Sequence, residues 1–303
     1  MNEHAAQGRG GGCQGGAVEV AKTSRPESRY PKTRRIRFPF GAGSKYFVND
    51  DIIFSHFVAN LSGSFPPGEE LFIRSVRRFA DEITDPVLKK RVAGFIGQES
   101  VHGQQHRALN EKLIDMGYPI AWWDSDGFVD RIKRIEERLS PRIPLAVTAG
   151  AEHFTAILAE RILGDEEIQA IPGEPEVWNL LNWHALEELE HKSVAFDIFR
   201  EVGGTERMRR RVMAVLIPVL LLLLSTVLAY SVARDPEARC QPVRLVRETY
   251  RLYRGPIFRG LISELRKYLR PGFHPDDIDT NALLQQWQEE LFGAAGTLVD
   301  YVR

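Results

Sequence analysis

The sequence of 303 residues predicts an all-α protein. Along two long segments apolar residues recur at alternating steps of four and three, which is the spacing of one helix face. Prolines stand where several segments begin, a position that suits the first turn of a helix. No convincing period-two alternation of apolar and polar residues marks a strand. These three observations favour helices throughout.

Composition narrows the class of protein. With 43% hydrophobic and 10% aromatic residues, the chain can bury a sizeable core. The formal net charge of -1 gives no overall attraction to nucleic acid, so we expect no nucleic-acid partner. Two cysteines, Cys13 and Cys240, are too few for a disulfide framework or a thiolate zinc site. This is compatible with a reducing compartment, and we expect a cytoplasmic protein.

The chain divides into four parts. Residues 1–40 are rich in glycine and arginine and lack the apolar region of a secretory signal, which predicts a disordered tail. Residues 41–208 hold the central helices, residues 209–234 a long apolar helix, and residues 235–303 a C-terminal helical region. In the central part we expect helices over residues 66–84, 86–116, 128–139, 145–163 and 176–202.

The helix over 86–116 carries polar residues on its apolar face. Its stripe consists of Leu88, Val92, Phe95, Glu99, His102, His106, Leu109 and Leu113. A buried, ionised carboxylate without a partner costs several kcal/mol, so it must be neutralised, paired or bound to a cation. Glu99 and His102 are three positions apart, which stacks both side chains on one face, close enough to grip a single cation.

The helix over 176–202 repeats this pattern. Its stripe consists of Val177, Leu181, His184, Glu188, His191, Ala195, Ile198 and Val202. Glu188 and His191 have the same three-residue spacing. Two other helices each add one glutamate. Glu152 lies in a stripe of small apolar residues, and Glu69 heads an apolar row, whereas its neighbour Glu70 heads a polar one. We therefore expect Glu69 and Glu152 to point inward.

The resulting order, Glu, Glu-x-x-His, Glu, Glu-x-x-His, is the pattern of a ferritin-like dimetal carboxylate site. It predicts a ferritin-like four-helix bundle with additional C-terminal helices. The metal ligands would be Glu69, Glu99, His102, Glu152, Glu188 and His191. Carboxylate and imidazole donors favour two divalent ions, with iron preferred and manganese or zinc as alternatives.

Three further histidines lie near these ligands in the sequence. His106 and His184 share the two stripes, one turn from the paired ligands. Each could be an extra ligand, hold a carboxylate in place or fill the core, and we favour the last two interpretations. His153 is out of phase with Glu152, which favours a place at a helix interface.

Several stretches of the chain resemble a known family. They are "FPPGEELFIRSVRRF", "FIGQESVHGQQHRALNE", "AEHFTAILAE", "WHALEELEHKSVAFDIF" and "PGFHPDD". They are similar to the bacterial family of predicted metal-dependent hydrolases, and the resemblance extends from Arg35 to the C-terminus. It implies metal-binding roles for the same six residues that the helical phase selects.

Two chemistries fit such a site. A di-iron centre would activate oxygen to oxidise a small, apolar substrate, with electrons drawn from a reductase. Ligand chemistry favours this interpretation, because glutamate-rich sites hold reducible iron well. The alternative, which the resemblance implies, is hydrolysis by a metal-activated water. Metal storage or sensing is disfavoured. Storage requires a bundle that assembles into a cage, and this chain has a long C-terminal region that such a bundle lacks.

Residues 212–233 contain no charged side chain and are flanked by arginines at both ends. This run is long enough to span a bilayer, and we expect attachment to the inner membrane through it. The alternative is a helix that packs against the bundle and kinks at Pro218. Beyond it, arginine-rich amphipathic helices could cover the bundle or lie on an anionic membrane surface.

Overall fold

The computed structural model describes Met1 and residues 30–303. In this part of the chain all regular secondary structure is helical, which confirms the all-α class. Strand-like pairing among these residues is limited to two isolated bridges, Ile36 with Val302 and Val48 with Gly173.

The described helices follow one another along the chain with short connections. They are α1 (Ile52–Arg77), α2 (Pro86–Asp115), α3 (Asp126–Arg138), α4 (Arg142–Gly164), α5 (Glu166–Gln169), α6 (Pro175–His191), α7 (Val194–Glu201), α8 (Glu206–Arg234), α9 (Pro236–Arg239), α10 (Pro242–Arg254), α11 (Leu261–Lys267) and α12 (Asn281–Phe292). Short 3-10 turns lie at Ala121–Asp124, Pro275–Asp277 and Val299–Tyr301.

The first helix starts earlier than the sequence predicts. Asp51 caps it by accepting a hydrogen bond from the Phe54 backbone at 2.9 Å, and the helix continues through Pro66 and the following proline. The prediction that Pro66 opens this helix is therefore wrong. A proline cannot donate to the carbonyl four residues back. Here that carbonyl, Ser62 O, accepts from Asn110 Nδ2 at 3.2 Å instead, so a side chain of α2 stabilises the internal proline.

The predicted helix over 176–202 is interrupted at Lys192 and Ser193, which separate α6 from α7. Lys192 Nζ donates to Ile278 O at 2.5 Å, and Ser193 Oγ accepts from Arg91 at 2.7 Å. Because both contacts come from distant parts of the chain, the sequence of the helix alone did not reveal the break. The apolar stripe nevertheless keeps its phase, since all eight of its residues are buried.

Four helices surround the interior that contains the predicted ligands. We call α1, α2, α4 and α6 the central helices. α1 packs on α2 and α4 packs on α6, while contacts between α1 and α4 and between α2 and α6 close the group. α8 lies along the outside of α1 and α4.

Residues 30–40 are packed on the protein, so the predicted tail is wrong for this stretch. Ile36 and Phe38 are buried. Phe38 N donates to Gln105 Oε1 on α2 at 3.1 Å, and Ile36 pairs with Val302. Burial of these apolar side chains outweighs the polar composition around them. The rest of the predicted tail, residues 2–29, lies outside the described residues.

The predicted divisions at residues 208 and 234 do not separate cores. One continuous set of buried apolar residues runs from Ile36 to Leu298 and includes Met213, Val227 and Leu252. The helices from α8 onward therefore share a core with the central helices.

Candidate metal centre

All six predicted ligands lie together in the interior, and each is at most 4% exposed. Each central helix contributes in register with its apolar stripe. The residues are Glu69 on α1, Glu99 and His102 on α2, Glu152 on α4, and Glu188 and His191 on α6. The structure thus brings together side chains that are more than 100 positions apart in the sequence.

His191 lies among three carboxylates. Its Nε2 is 3.1 Å from Glu99 Oε1, 3.3 Å from Glu152 Oε2 and 3.5 Å from Glu188 Oε1. Glu99, Glu152 and His191 offer donor atoms that all lie within 4.8 Å of one another. A single cation can reach donors at this spacing, and we call this group the His191 half-site.

A second group of donors lies beside the first. His102 Nδ1 is 3.8 Å from Glu188 Oε1 and 4.0 Å from Glu99 Oε2. His184 Nε2 is 2.9 Å from Glu188 Oε1 and 3.9 Å from Glu69 Oε1. Donor atoms of Glu69, His102 and His184 also lie within 4.8 Å of one another, and we call them the His102 half-site. Glu99 and Glu188 stand between the two half-sites.

The helical phase assigned to α1 is confirmed by its two adjacent glutamates. Glu69 is 2% exposed and turns inward. The Glu70 side chain is 39% exposed and pairs with Arg107 at 2.5 Å on the outer side. Gly103 on α2 leaves space for the inner carboxylate, because a Cβ there would lie 3.1 Å from Glu69 Oε2.

A glutamine fixes the orientation of the His191 ring. Gln98 Nε2 donates to Glu190 Oε2 at 2.7 Å, so Gln98 Oε1 is the acceptor 2.9 Å from His191 Nδ1. His191 Nδ1 therefore carries the hydrogen, and Nε2 turns its lone pair toward the carboxylates. This is the tautomer that a metal ligand requires.

A longer chain of hydrogen bonds fixes His184. Asn110 Oδ1 accepts from Ser62 Oγ at 2.7 Å, so Ser62 Oγ in turn accepts from His106 Nδ1 at 2.9 Å. His106 Nε2 is then the acceptor for His184 Nδ1 at 2.7 Å. The lone pair of His184 Nε2 consequently faces Glu188.

These contacts correct the interpretation of His184. The sequence favoured a supporting or core role for both His106 and His184. His106 does lie behind the centre, where it holds another ring. His184, however, presents a donor atom to the His102 half-site and completes the group with Glu69.

His102 is held by an ion-pair network that the sequence did not reveal. Its Nε2 lies 3.0 Å from Glu187 Oε2, so it donates to that carboxylate and leaves Nδ1 to face the centre. Arg34 pairs with Glu187 at 2.8 Å and with Glu190 at 2.7 Å. Since Glu190 also holds Gln98, one arginine supports the orientation of both His102 and His191.

The donors fit a metal because hydrogen bonds do not satisfy them. Among the described residues both carboxylate oxygens of Glu69, Glu99 and Glu152 lack a hydrogen-bond partner, as do His102 Nδ1 and His191 Nε2. Leaving one buried polar atom unpaired costs about 1–3 kcal/mol, so a native cluster of this kind indicates a cation. Carboxylates with imidazoles suit divalent iron, manganese or zinc.

The protonation of these groups leads to the same conclusion. Burial, aided by neighbouring carboxylates, raises the pKa values of Glu69 and Glu152. Burial would also raise the pKa of Glu188, but His191 and His184 together outweigh it and lower that pKa. The pKa of His191 is raised, because Glu188 and Glu152 together outweigh burial. Without a cation the centre therefore holds protons that metal binding must release.

His153 lies outside the donor groups. Its ring packs on Tyr268 and Phe273, with centroids 5.1 Å away in each case, and its Nε2 is 3.5 Å from Glu264 O. Burial lowers the pKa of His153 to about 4. His153 therefore lies where α4 packs on the C-terminal region, at an interface of the kind that its helical phase predicts.

The supporting residues around the centre were missed for a physical reason. Glu187 and Glu190 have ordinary charged-helix spacing, and Arg34 belongs to a segment interpreted as a tail. The stretch "EELE" on α6 was the available signal. It places Glu187, Glu188 and Glu190 within four positions, so they cannot all lie on the solvent-exposed side of the helix.

Comparison with protein families agrees with the geometry. A family model described as predicted metal-dependent hydrolase matches residues 32–279. The chain belongs to this family. The match to the metal-dependent hydrolases covers all six predicted ligands, His184 and Arg34. No curated protein matches the chain, and no solved structure matches it. The ferritin-like arrangement of the central helices therefore stays a prediction.

Proposed function

We propose that the chain is a hydrolase that cleaves a small-molecule substrate with a metal-activated water at this centre. The proposal rests on one observation: the two half-sites share the carboxylates Glu99 and Glu188, whose oxygens lie within 4.0 Å of imidazole nitrogens on both sides. Two metal ions held in adjacent half-sites would lower the pKa of a water between them toward neutrality. Family membership supports the same activity.

Two ions, rather than one, follow from the division of donors. Each half-site has its own glutamate, Glu69 or Glu152, and its own imidazole. Four carboxylates offset the charge of two divalent cations. Iron, manganese and zinc are the candidates, since the centre offers oxygen and nitrogen donors.

Neighbouring side chains would hold the donors of the centre in position. Thr155 Oγ1 donates to Glu188 Oε2, which leaves Glu188 Oε1 to face the imidazoles. His184, His106 and Ser62 form a continuous hydrogen-bonded chain away from the centre. This chain would keep the hydrogen on His184 Nδ1 and leave its Nε2 lone pair available to a metal ion.

Oxygen activation, with electrons supplied by a reductase, is the second candidate, and one observation favours it. All six predicted ligands are at most 4% exposed. A centre this enclosed admits a molecule as small as dioxygen more readily than an ester. Four carboxylates also stabilise ferric iron.

One experiment distinguishes the two chemistries. Protein purified without added metal is analysed for metal content, then loaded separately with iron, manganese and zinc and assayed on panels of ester, amide and phosphoester substrates. Hydrolysis supported by zinc or manganese, and lost in Glu188→Ala, is the expected result. Rapid oxygen consumption by the reduced iron form, with new near-ultraviolet bands and no hydrolysis with any metal, would establish the second candidate instead.

A further inference from the structure

The helix α8 is unusually apolar for one that is largely uncovered. It is the one helix in the described part of the chain that is long and apolar enough to cross a membrane, which by itself is weak support. The core helix of a soluble protein passes the same test but is mostly buried. Only 22% of the most apolar stretch of α8 is buried.

Contacts with the rest of the protein fix α8 along its length. Near its start Arg209, 1% exposed, donates to Tyr268 O. In the middle Leu216 packs against Gly150 of α4 so closely that a Cβ there would lie 2.8 Å from Leu216 Cδ2. At its end Ser231 Oγ lies 2.7 Å from the Nδ1 atom of His56 on α1.

This attachment decides how α8 can meet a bilayer. If the helix crossed the membrane, α1 and α4 would have to enter the hydrocarbon with it. Those helices carry exposed arginines, Arg77 on α1 and Arg142 on α4, and charged groups at that depth are costly. A sideways approach places only the outer face of α8 in contact with lipid.

The outer face of α8 is apolar. Val215, Val219 and Leu222 are 63%, 51% and 70% exposed, and Leu223 is also exposed. Exposed arginines stand at both ends of the apolar stretch, at Arg211 and at the C-terminal end of the helix. Since its inner side is held by the protein, α8 can offer only this outer apolar face to lipid, and the long arginine side chains at its ends can reach the headgroup region.

A second helix repeats these properties. On α10, Val243, Val246, Tyr250 and Tyr253 recur at steps of three, four and three, and all four are exposed. The opposite side of α10 is the one that packs inward, through Leu252 and through Glu248, which accepts from the first backbone amide of α1 at 2.8 Å.

The two apolar faces are adjacent and bordered by positive charge. Tyr253 Oη donates to Ser225 Oγ of α8 at 3.0 Å, which connects the helices. Arg247 and Arg254 are exposed beside the apolar face of α10. Tyrosines at the level of lipid headgroups and arginines near anionic lipids are both favourable.

We propose that α8 and α10 together form a docking surface that lies flat on an anionic lipid bilayer without crossing it. The apolar side chains enter the acyl boundary, and the arginines of α10 contact the headgroups. This inference is independent of the chemistry at the metal centre.

The test measures binding of the purified, full-length protein to vesicles. Sedimentation with phosphatidylcholine vesicles is compared with sedimentation with vesicles that also contain phosphatidylglycerol. We expect stronger binding to the anionic vesicles, reduced by salt. The double variant Leu222→Asp/Val246→Asp should bind at least about tenfold more weakly, because two apolar contacts are lost. Arg247→Gln should lose about fivefold, and only on anionic vesicles.

Control variants distinguish binding through this surface from non-specific adsorption through any exposed apolar side chain. Ile135 on α3 is 51% exposed and Val87 on α2 is 47% exposed, both away from α8 and α10. Ile135→Asp/Val87→Asp should bind vesicles like the wild type. Unchanged circular dichroism spectra and melting temperatures in all variants would show that each has folded.

Three outcomes would overturn the proposal. The first is equal vesicle binding by the two double variants. The second is a wild-type dimer that Leu222→Asp/Val246→Asp converts to a monomer while neither binds vesicles, which would assign the face to a second copy of the chain.

The third outcome comes from cysteine labelling. The variants Arg211→Cys and Arg234→Cys, in a background without Cys13 and Cys240, are bound to preformed vesicles and labelled with a membrane-impermeant thiol reagent. Protection of one end alone would establish a spanning helix, whereas a flat helix leaves both ends reactive.

Discussion

Arg34 offers the most stringent test of how the metal centre is built. It contacts no predicted ligand directly, yet it pairs with Glu187 at 2.8 Å and with Glu190 at 2.7 Å. Burial raises the pKa of Glu187 to about 8, and the positive charge of Arg34 opposes that shift. In Arg34→Ala the pKa of Glu187 should rise further, so above about pH 8, where the wild-type carboxyl is mostly ionised, it would stay protonated and would hold His102 less firmly in the tautomer that binds metal.

The size of the effect follows from known behaviour of residues that orient metal ligands. Their replacement typically weakens metal affinity about 10 to 100-fold, which is about 1.4 to 2.7 kcal/mol. Arg34 is 10% exposed, so leaving its two carboxylates unpaired should also cost about 3–5 kcal/mol of folding free energy. Arg34→Lys keeps the charge but lacks the planar guanidinium group that pairs with two carboxylates. Its metal affinity and its stability should therefore lie between those of wild type and Arg34→Ala.

The measurement is competition for metal with a chromophoric chelator, combined with thermal unfolding with and without metal. Arg244→Ala is the matched control, because Arg244 also links two carboxylates, Asp50 and Glu248, but far along the chain from the centre. The control should lose stability and keep its metal affinity. If Arg34→Ala binds metal as tightly as Arg244→Ala, the network does not orient the ligands and the reasoning is refuted.

Further predictions concern the centre itself. Glu188→Ala should abolish metal binding and leave the helical content unchanged by circular dichroism, since it removes the carboxylate that both half-sites share. Glu69→Ala should lose metal, whereas Glu70→Ala should keep it and stay within about 0.5 kcal/mol of wild-type stability. Equal metal loss in both would contradict the phase of α1. His184→Gln should lower the metal affinity of one half-site alone, which a metal titration with two binding steps would resolve. A titration curve identical to that of the wild type would exclude His184 as a ligand. Metal affinity should fall as pH is lowered, because the raised pKa values of Glu69, Glu152 and His191 mean that protons compete with the cation; calorimetry in buffers of different ionisation enthalpy should detect their release.

The grouping of the six candidate ligands was predictable from sequence because helical periodicity is a local property. A residue at position i shares a face with i+3, i+4 and i+7 whatever the rest of the chain does. This placed Glu99 with His102 and Glu188 with His191, and it separated Glu69 from Glu70. The all-α class followed from the same period, and the apolar stripes of α2 and α6 are buried as expected.

Tertiary contacts decided the features that the period could not predict. Pro66 lies inside α1 because Asn110, 44 positions away, satisfies the carbonyl that proline leaves free. The turn after His191 is held by Arg91 and by the C-terminal region.

Only the folded structure assigned roles to the surrounding residues. Arg34 and Glu187 are 153 positions apart, so no local pattern connects them. His184 became a donor because Asn110, Ser62 and His106 together determine which of its nitrogens carries the hydrogen. Sequence periodicity determines which face of a helix a side chain occupies, whereas the state and orientation of a buried polar group depend on partners that folding brings from elsewhere in the chain.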